Sequence, residues 1–207
     1  MKKWTKFAAI ILVGAGATSL ALHAPSAAMA KINSSAPIVS LGQRVAPLQL
    51  RNTAGKPVTV AQWNKSKATV LMFVATKCPV SNAYNARMAS LQSAYASKGV
   101  RFIGINSNQA ENGAEVAAHA KQHGLSFPIY KDPQNKIANR FNAQVTPEVY
   151  VVGTQGDLLY KGRIDNSQNT AEVNEKSLQL ALNAILAKKP ISKKETRAFG
   201  CSIKRVG

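Results

Sequence analysis

Residues 69–82 read Thr-Val-Leu-Met-Phe-Val-Ala-Thr-Lys-Cys-Pro-Val-Ser-Asn. Thr69 to Ala75 is a continuous, mostly apolar run rich in β-branched side chains, the pattern of a strand buried on both faces of a sheet. Beyond it, Tyr84, Met88, Leu91 and Tyr95 recur at helical spacing as far as Gly99. Cys78 is therefore expected at a strand-to-helix junction. A thiol at a helix N-terminus meets unpaired backbone N–H groups and the positive end of the helix dipole, and both favour the thiolate. Lys77 adds a neighbouring positive charge, and Pro79 suits a first helical position because the donor it lacks would have no partner inside the helix. The alternative is a buried, inert cysteine or half of a structural disulfide.

Upstream, Val45–Leu50 and Val58–Val60 flank the turn residues Asn52 to Pro57 and predict an N-terminal hairpin. Downstream, Val100–Asn106 reads as a second strand, Ala114–Gln122 as a short helix ended near Gly124, and Phe127–Tyr130 as an extended segment. Alternating strands and helices imply crossover connections, hence parallel pairing. Pro133–Phe141 predicts another short helix, and Val149–Val152 a strand that turns through Gly153–Asp157 into an antiparallel partner at Leu158–Tyr160. A last helix is expected from about Glu172 to Lys188, with Leu178, Leu182 and Leu186 on one face. The expectation is an α/β domain over 41–188, a central mixed sheet flanked by helices with the hairpin as an extension, followed by a basic tail over 189–207 that carries Cys201.

The chain has 207 residues, 45% of them hydrophobic and 17% charged, a globular composition. Residues 1–30 place Lys2, Lys3 and Lys6 before an apolar stretch, Phe7 to about Leu22, that ends in Ala28-Met29-Ala30, the form of a cleaved export signal. A short polar leader follows over 31–40. The expected location is periplasmic or extracellular, where a disulfide persists. With 27 Lys+Arg against 9 Asp+Glu the formal charge is +18. This charge allows weak adhesion to anionic surfaces, but no zinc spacing or ring-stacking motif points to a specific nucleic acid. His119 and His123 are four residues apart on a predicted helix without a third ligand, so exposed histidines are expected there and no metal. Arg163 and Asp165 are expected to form a surface ion pair.

The ordered set V-A-P-L-Q-L, N-T-A-G-K-P-V, the strand before C-P-V-S, V-R-F-I-G-I-N, F-P-I-Y-K-D-P, I-A-N-R-F, V-T-P-E-V-Y-V-V and G-D-L-L-Y-K-G-R-I-D spans about Leu41 to Leu186. It resembles the thioredoxin-like superfamily, and within it the redoxin or AhpC/TSA (peroxiredoxin-like) branch. The resemblance implies a thioredoxin-like fold, Cys78 as nucleophile, and a cis-proline loop at Thr146-Pro147 that sets the Thr146 backbone beside Cys78 for an extended substrate. Thr76, Lys77, Pro79 and Ser81 would line the same site, and no cofactor is implied.

Two departures matter. C-P-V-S lacks the second thiol of a C-x-x-C motif, so Ser81 cannot resolve a mixed disulfide. A peroxiredoxin pattern P-x-x-x-[TS]-x-x-C would need proline and threonine or serine where Leu71 and Ala75 stand. The G-C-x-I-K element at Gly200–Lys204 is similar to one carried by many exported peroxiredoxin-like proteins, and Cys201 is the only other thiol. The reading is an exported thiol-disulfide oxidoreductase acting on a protein disulfide or thiol, with Cys201 as resolver and an external reductant. Its alternatives are a peroxide-reducing antioxidant protein and a non-catalytic binding module stapled by a structural Cys78–Cys201 bridge.

Overall fold

A computed structural model describes Met1 and residues 38–206. The export signal expected over 1–30 falls outside these residues apart from Met1, as does most of the leader. Val39, two positions before the expected domain start at Leu41, is already buried and donates its N–H to Arg140 O over 2.8 Å.

Nine strands and five α-helices occur among the described residues. The hairpin is β1 (Leu48–Arg51) and β2 (Pro57–Val60), paired antiparallel with Leu48 opposite Val60. Next come β3 (Ala68–Phe73), α1 (Pro79–Ala83), α2 (Asn85–Ala96), β4 (Val100–Asn106), α3 (Gly113–Gln122), β5 (Ile129–Lys131) and α4 (Lys136–Phe141). The chain continues through β6 (Val145–Thr146), β7 (Glu148–Gly153), β8 (Leu158–Gly162), α5 (Ser177–Leu186) and β9 (Cys201–Ser202). Seven strands form one sheet in the order β2-β1-β5-β4-β3-β7-β8. The crossovers through α2 and α3 make β3–β4 and β4–β5 parallel, whereas β7 runs antiparallel to both β3 and β8.

β3 is an interior strand between β4 and β7, and every residue of it is buried. Because strand side chains alternate between faces, Val70 and Met72 pack with Met88 and Tyr95 of α2, Val116 of α3, and Leu178 and Leu182 of α5. Leu71 and Phe73 point the other way, against Ile137 and Phe141 of α4, Leu48 and Trp63. The rings of Phe73, Phe141 and Tyr150 meet in tilted and edge-on contacts, 4.9–6.3 Å between centroids. Truncating such a buried ring to alanine costs about 3–5 kcal/mol. This two-sided burial anchors the C-terminal end of β3, from which the Cys78 loop departs.

The helix expected to run unbroken to Gly99 is divided at Tyr84, whose φ of −93° and ψ of −7° leave the regular helix. The tyrosine is anchored from outside, its hydroxyl donating to Asp165 Oδ1 over 2.8 Å. The last helix begins at Ser177, not near Glu172. Asn166 holds the preceding chain as a loop, its Oδ1 accepting from Asn174 N at 3.1 Å and Glu175 N at 2.8 Å.

Candidate functional site

Cys78 caps α1. Its backbone is extended (φ −94°, ψ 115°), Pro79 takes the first helical position, and the sulfur accepts the Ser81 N–H over 3.2 Å. That donor is one of the N–H groups a helix start leaves without an intrahelical partner, and here it faces sulfur. Cys78 is 3% exposed and is joined in a disulfide to Cys201, the Cα atoms 5.9 Å apart and 123 positions apart in sequence. Cys201 itself is half-buried.

Facing the pair is the turn into β7. The Thr146–Pro147 bond is cis, and the Thr146 carbonyl oxygen lies 3.4 Å from the Cys78 sulfur. Thr146 and Pro147 are both buried. β9 runs antiparallel along β6, Cys201 opposite Thr146 and Ser202 opposite Val145, and Ile203 N donates to Gln144 O over 2.9 Å. The hydroxyls of Thr76 and Thr146 are buried without a hydrogen-bond partner among the described residues.

The sequence-predicted residues divide by where their polar atoms go. Ser81 is fully buried, and its hydroxyl accepts the Ala75 N–H over 3.2 Å, so the side chain braces the loop and only its N–H serves the sulfur. Lys77 is exposed, its ammonium 3.0 Å from Glu115 Oε1 and donating to Ala110 O over 3.3 Å. The positive charge expected beside Cys78 is thus matched by a carboxylate. Thr76 and Lys77 contribute through their backbone, both N–H groups donating to the Glu111 carboxylate, at 2.8 and 3.2 Å.

Glu111 is the central group that sequence reasoning did not single out. Besides those two N–H donors it accepts from Asn106 Nδ2 over 2.6 Å and Asn108 Nδ2 over 2.9 Å. Burial alone would raise its carboxyl. The donors outweigh burial and hold it below the usual carboxylate range, so a buried anion stands behind the Cys78 loop. The same 106–111 loop grips the tail, because Asn108 Oδ1 accepts from Lys204 N over 2.8 Å and Gln109 N donates to Lys204 O over 3.1 Å. Lys131 closes the loop from below, its ammonium donating to Asn106 Oδ1, Asn108 O and Glu111 O. Burial lowers the Lys131 ammonium, against the opposing pull of Glu111 and Asp132.

Two expectations are corrected. His119 is half-buried, not exposed. Its Nε2 lies 2.9 Å from Asn82 Oδ1, and Asn82 Nδ2 donates to Thr76 O over 2.9 Å, so the histidine supports the Cys78 loop through Asn82. Burial, reinforced by the neighbouring His123, whose ring centroid is 4.4 Å away, lowers its titration point. Arg163 and Asp165 do not pair. Asp165 is buried and bound by Arg87 at 2.8 Å, with the Arg87 guanidinium stacked 3.7 Å from the Tyr84 ring centroid, while Arg163 turns to Glu175 at 3.0 Å. The chain leaves the strand at Gly162, so residues 163–165 follow no strand alternation and each side chain is taken by a partner from another segment, Arg87 for Asp165 and Glu175 for Arg163.

A disulfide set at a helix start, with an N–H aimed at one sulfur and an open-chain segment paired beside it, can exchange with an external thiol or disulfide. The chain is similar to the thiol-disulfide oxidoreductase ResA of Halalkalibacterium halodurans, at 22% identity over 67% of this chain and 76% of the relative. It also matches the crystal structure of an uncharacterised conserved protein from Geobacillus kaustophilus, at 30% identity and a TM-score of 0.74, over 82% of this chain and 94% of the other. A candidate thiol:disulfide interchange protein DsbE from Chlorobium tepidum shares the thioredoxin-like fold alone, at 17% identity and a TM-score of 0.59, over 72% of this chain and 99% of the other. The AhpC/TSA family model matches residues 41–161, more than half of the sequence, and the chain belongs to the AhpC/TSA family.

Proposed function

We propose that the protein is an exported thiol-disulfide oxidoreductase in which Cys78 is the nucleophile and Cys201 the resolving thiol. The observation that carries this reading is the Cys78–Cys201 disulfide at the start of α1, with the Ser81 N–H on the Cys78 sulfur. In the reduced protein that N–H stabilises a Cys78 thiolate, which attacks a protein disulfide and forms a mixed disulfide. Cys201, brought beside it by β9, then attacks the Cys78 sulfur and releases the substrate thiol. The relatives named for thiol-disulfide exchange support the reaction class. The signal-like residues 1–30 and a disulfide as the resting state support an extracytoplasmic location.

The peroxide-reducing alternative is not favoured, because Leu71 and Ala75 stand where its motif requires other residues. The experiment is steady-state reduction of a disulfide-bonded protein substrate, with a dithiol as electron donor. Wild-type protein should turn over and Cys78→Ser should fall to the uncatalysed rate. Equal rates for the two proteins would overturn the proposal and favour a structural staple.

A further inference from the structure

The edge of Val145–Thr146, beside Cys78, is where an extended substrate chain would be expected to pair, and in the oxidised protein the tail occupies it. The fit of that tail segment is specific. Gly200 has φ of +152°, and a Cβ added there would lie 2.0 Å from the Thr146 carbonyl oxygen, so no larger residue fits before the cysteine without displacement. The segment is fixed at both ends. Thr196 packs against Gly162 and donates its N–H to Lys161 O over 3.1 Å, while Lys204 is held by Asn108 and Gln109. What remains open beside the disulfide is a cleft of about 120 Å³, lined in part by Lys77, Ala110, Glu111 and Ser202. It is too small to admit a second strand while Cys78 is covered.

We propose that Gly200–Ile203 is a built-in competitor for the substrate strand. Closure of the Cys78–Cys201 bond seats the tail on β6 and expels the substrate chain in one event, and the shared register selects substrate segments with glycine immediately before the reacting cysteine. This rests on the exchange function proposed above and adds what the partner must look like. In the first step the Cys78 thiolate attacks the substrate cysteine sulfur, the substrate S–S bond breaks, and its other sulfur leaves as a thiolate that takes up a proton. In the second the Cys201 thiol gives its proton to solvent and attacks the Cys78 sulfur. The Cys78–substrate bond breaks, and the substrate sulfur leaves with the electron pair and is protonated. One substrate disulfide becomes two thiols and the protein dithiol becomes a disulfide, which an external dithiol reductant must reopen.

The test uses reduced full-length protein and two peptides, one copying Phe199–Ile203 and one with alanine in place of its glycine, each bearing its cysteine as a disulfide with thionitrobenzoate. The glycine peptide should release thionitrobenzoate faster by on the order of tenfold, because misplacement by an ångström or less is enough to lose that much. Equal rates would overturn the selection. Hydrogen exchange then follows the Ile203 amide, which should be protected in the oxidised protein and exposed once Cys201→Ser carries the glycine peptide as a mixed disulfide on Cys78. Continued protection in that adduct would overturn the displacement. Release from neither peptide would take down the exchange reading and this inference together, whereas fast, equal release from both would leave the exchange reading standing and remove only this one.

Discussion

The Ser81 N–H donates to the Cys78 sulfur over 3.2 Å while the Ser81 hydroxyl is turned inward to the Ala75 N–H, so one residue both holds the loop and supplies the donor a thiolate needs. Cys201 lies in a two-residue strand, away from any helix start. In the reduced protein Cys78 should therefore alkylate several-fold faster than Cys201 at neutral pH. Timed iodoacetamide labelling with mass-spectrometric mapping reads both rates, and faster labelling of Cys201 would contradict the assignment.

Glu111 ties the Cys78 loop to the sheet. Glu111→Gln keeps the shape but replaces one acceptor oxygen by an NH₂ group, leaving buried donors facing a donor, and should cost about 1–3 kcal/mol in chemical denaturation. The pH dependence follows from the same contacts. Its folded carboxyl titrates below the ordinary 4.5, so its contribution is complete above pH 4.5 and is lost as pH falls through the lower folded value. The variant should therefore lose less stability than wild type between neutral and acid pH. Parallel pH–stability curves would exclude this role.

Asp165 is enclosed by Arg87 and Tyr84, and burial together with the Asp165 carboxylate drives the Tyr84 phenol well above its ordinary value. Asp165→Asn leaves the half-buried Arg87 guanidinium without its counter-ion. A loss of about 3 kcal/mol is expected, at the lower end for a broken buried pair because Arg87 retains some solvent. Thermal and urea unfolding measure it, and a loss within experimental error would show that the Ser167 and Gln168 carbonyls suffice for Arg87.

The disulfide closes 123 positions of chain. In the chain-entropy model such a link stabilises the folded state by roughly 4–5 kcal/mol, so a reductant should shift the urea midpoint to lower concentration by a comparable free energy. Cys201→Ser should match the reduced wild type. A variant as stable as the oxidised protein would mean that the tail contacts through Thr196 and Lys204 alone hold the structure.

Much of the fold is legible in local pattern. Val100–Asn106 folds as a strand over the range its apolar run indicates, and the run at Thr69 becomes an interior strand, paired on both edges and buried throughout. The start of the last helix is not legible, since it depends on Asn166 capturing the backbone of Asn174 and Glu175, a contact across the loop. The candidate site divides in the same way. Cys78 stands out from its strand, its proline and the helical spacing that follows, all within twenty or so residues. Glu111 and His119 act on that loop from more than thirty positions away, where a lone carboxylate or imidazole in the sequence carries no mark of its partners. The one available signal was compositional: an acidic residue just past a strand of a strongly basic chain, in an Asn-rich segment, invites a search for buried donors.

In the proposed reaction Cys78 attacks and Cys201 resolves. Reduced protein mixed with one equivalent of a disulfide-bonded peptide, quenched in acid at intervals and mapped by mass spectrometry, reads this directly. A transient peptide adduct is expected on Cys78 that gives way to the Cys78–Cys201 disulfide in wild type and persists in Cys201→Ser. An adduct that forms first on Cys201, or a Cys78 adduct that wild type fails to resolve, would contradict it.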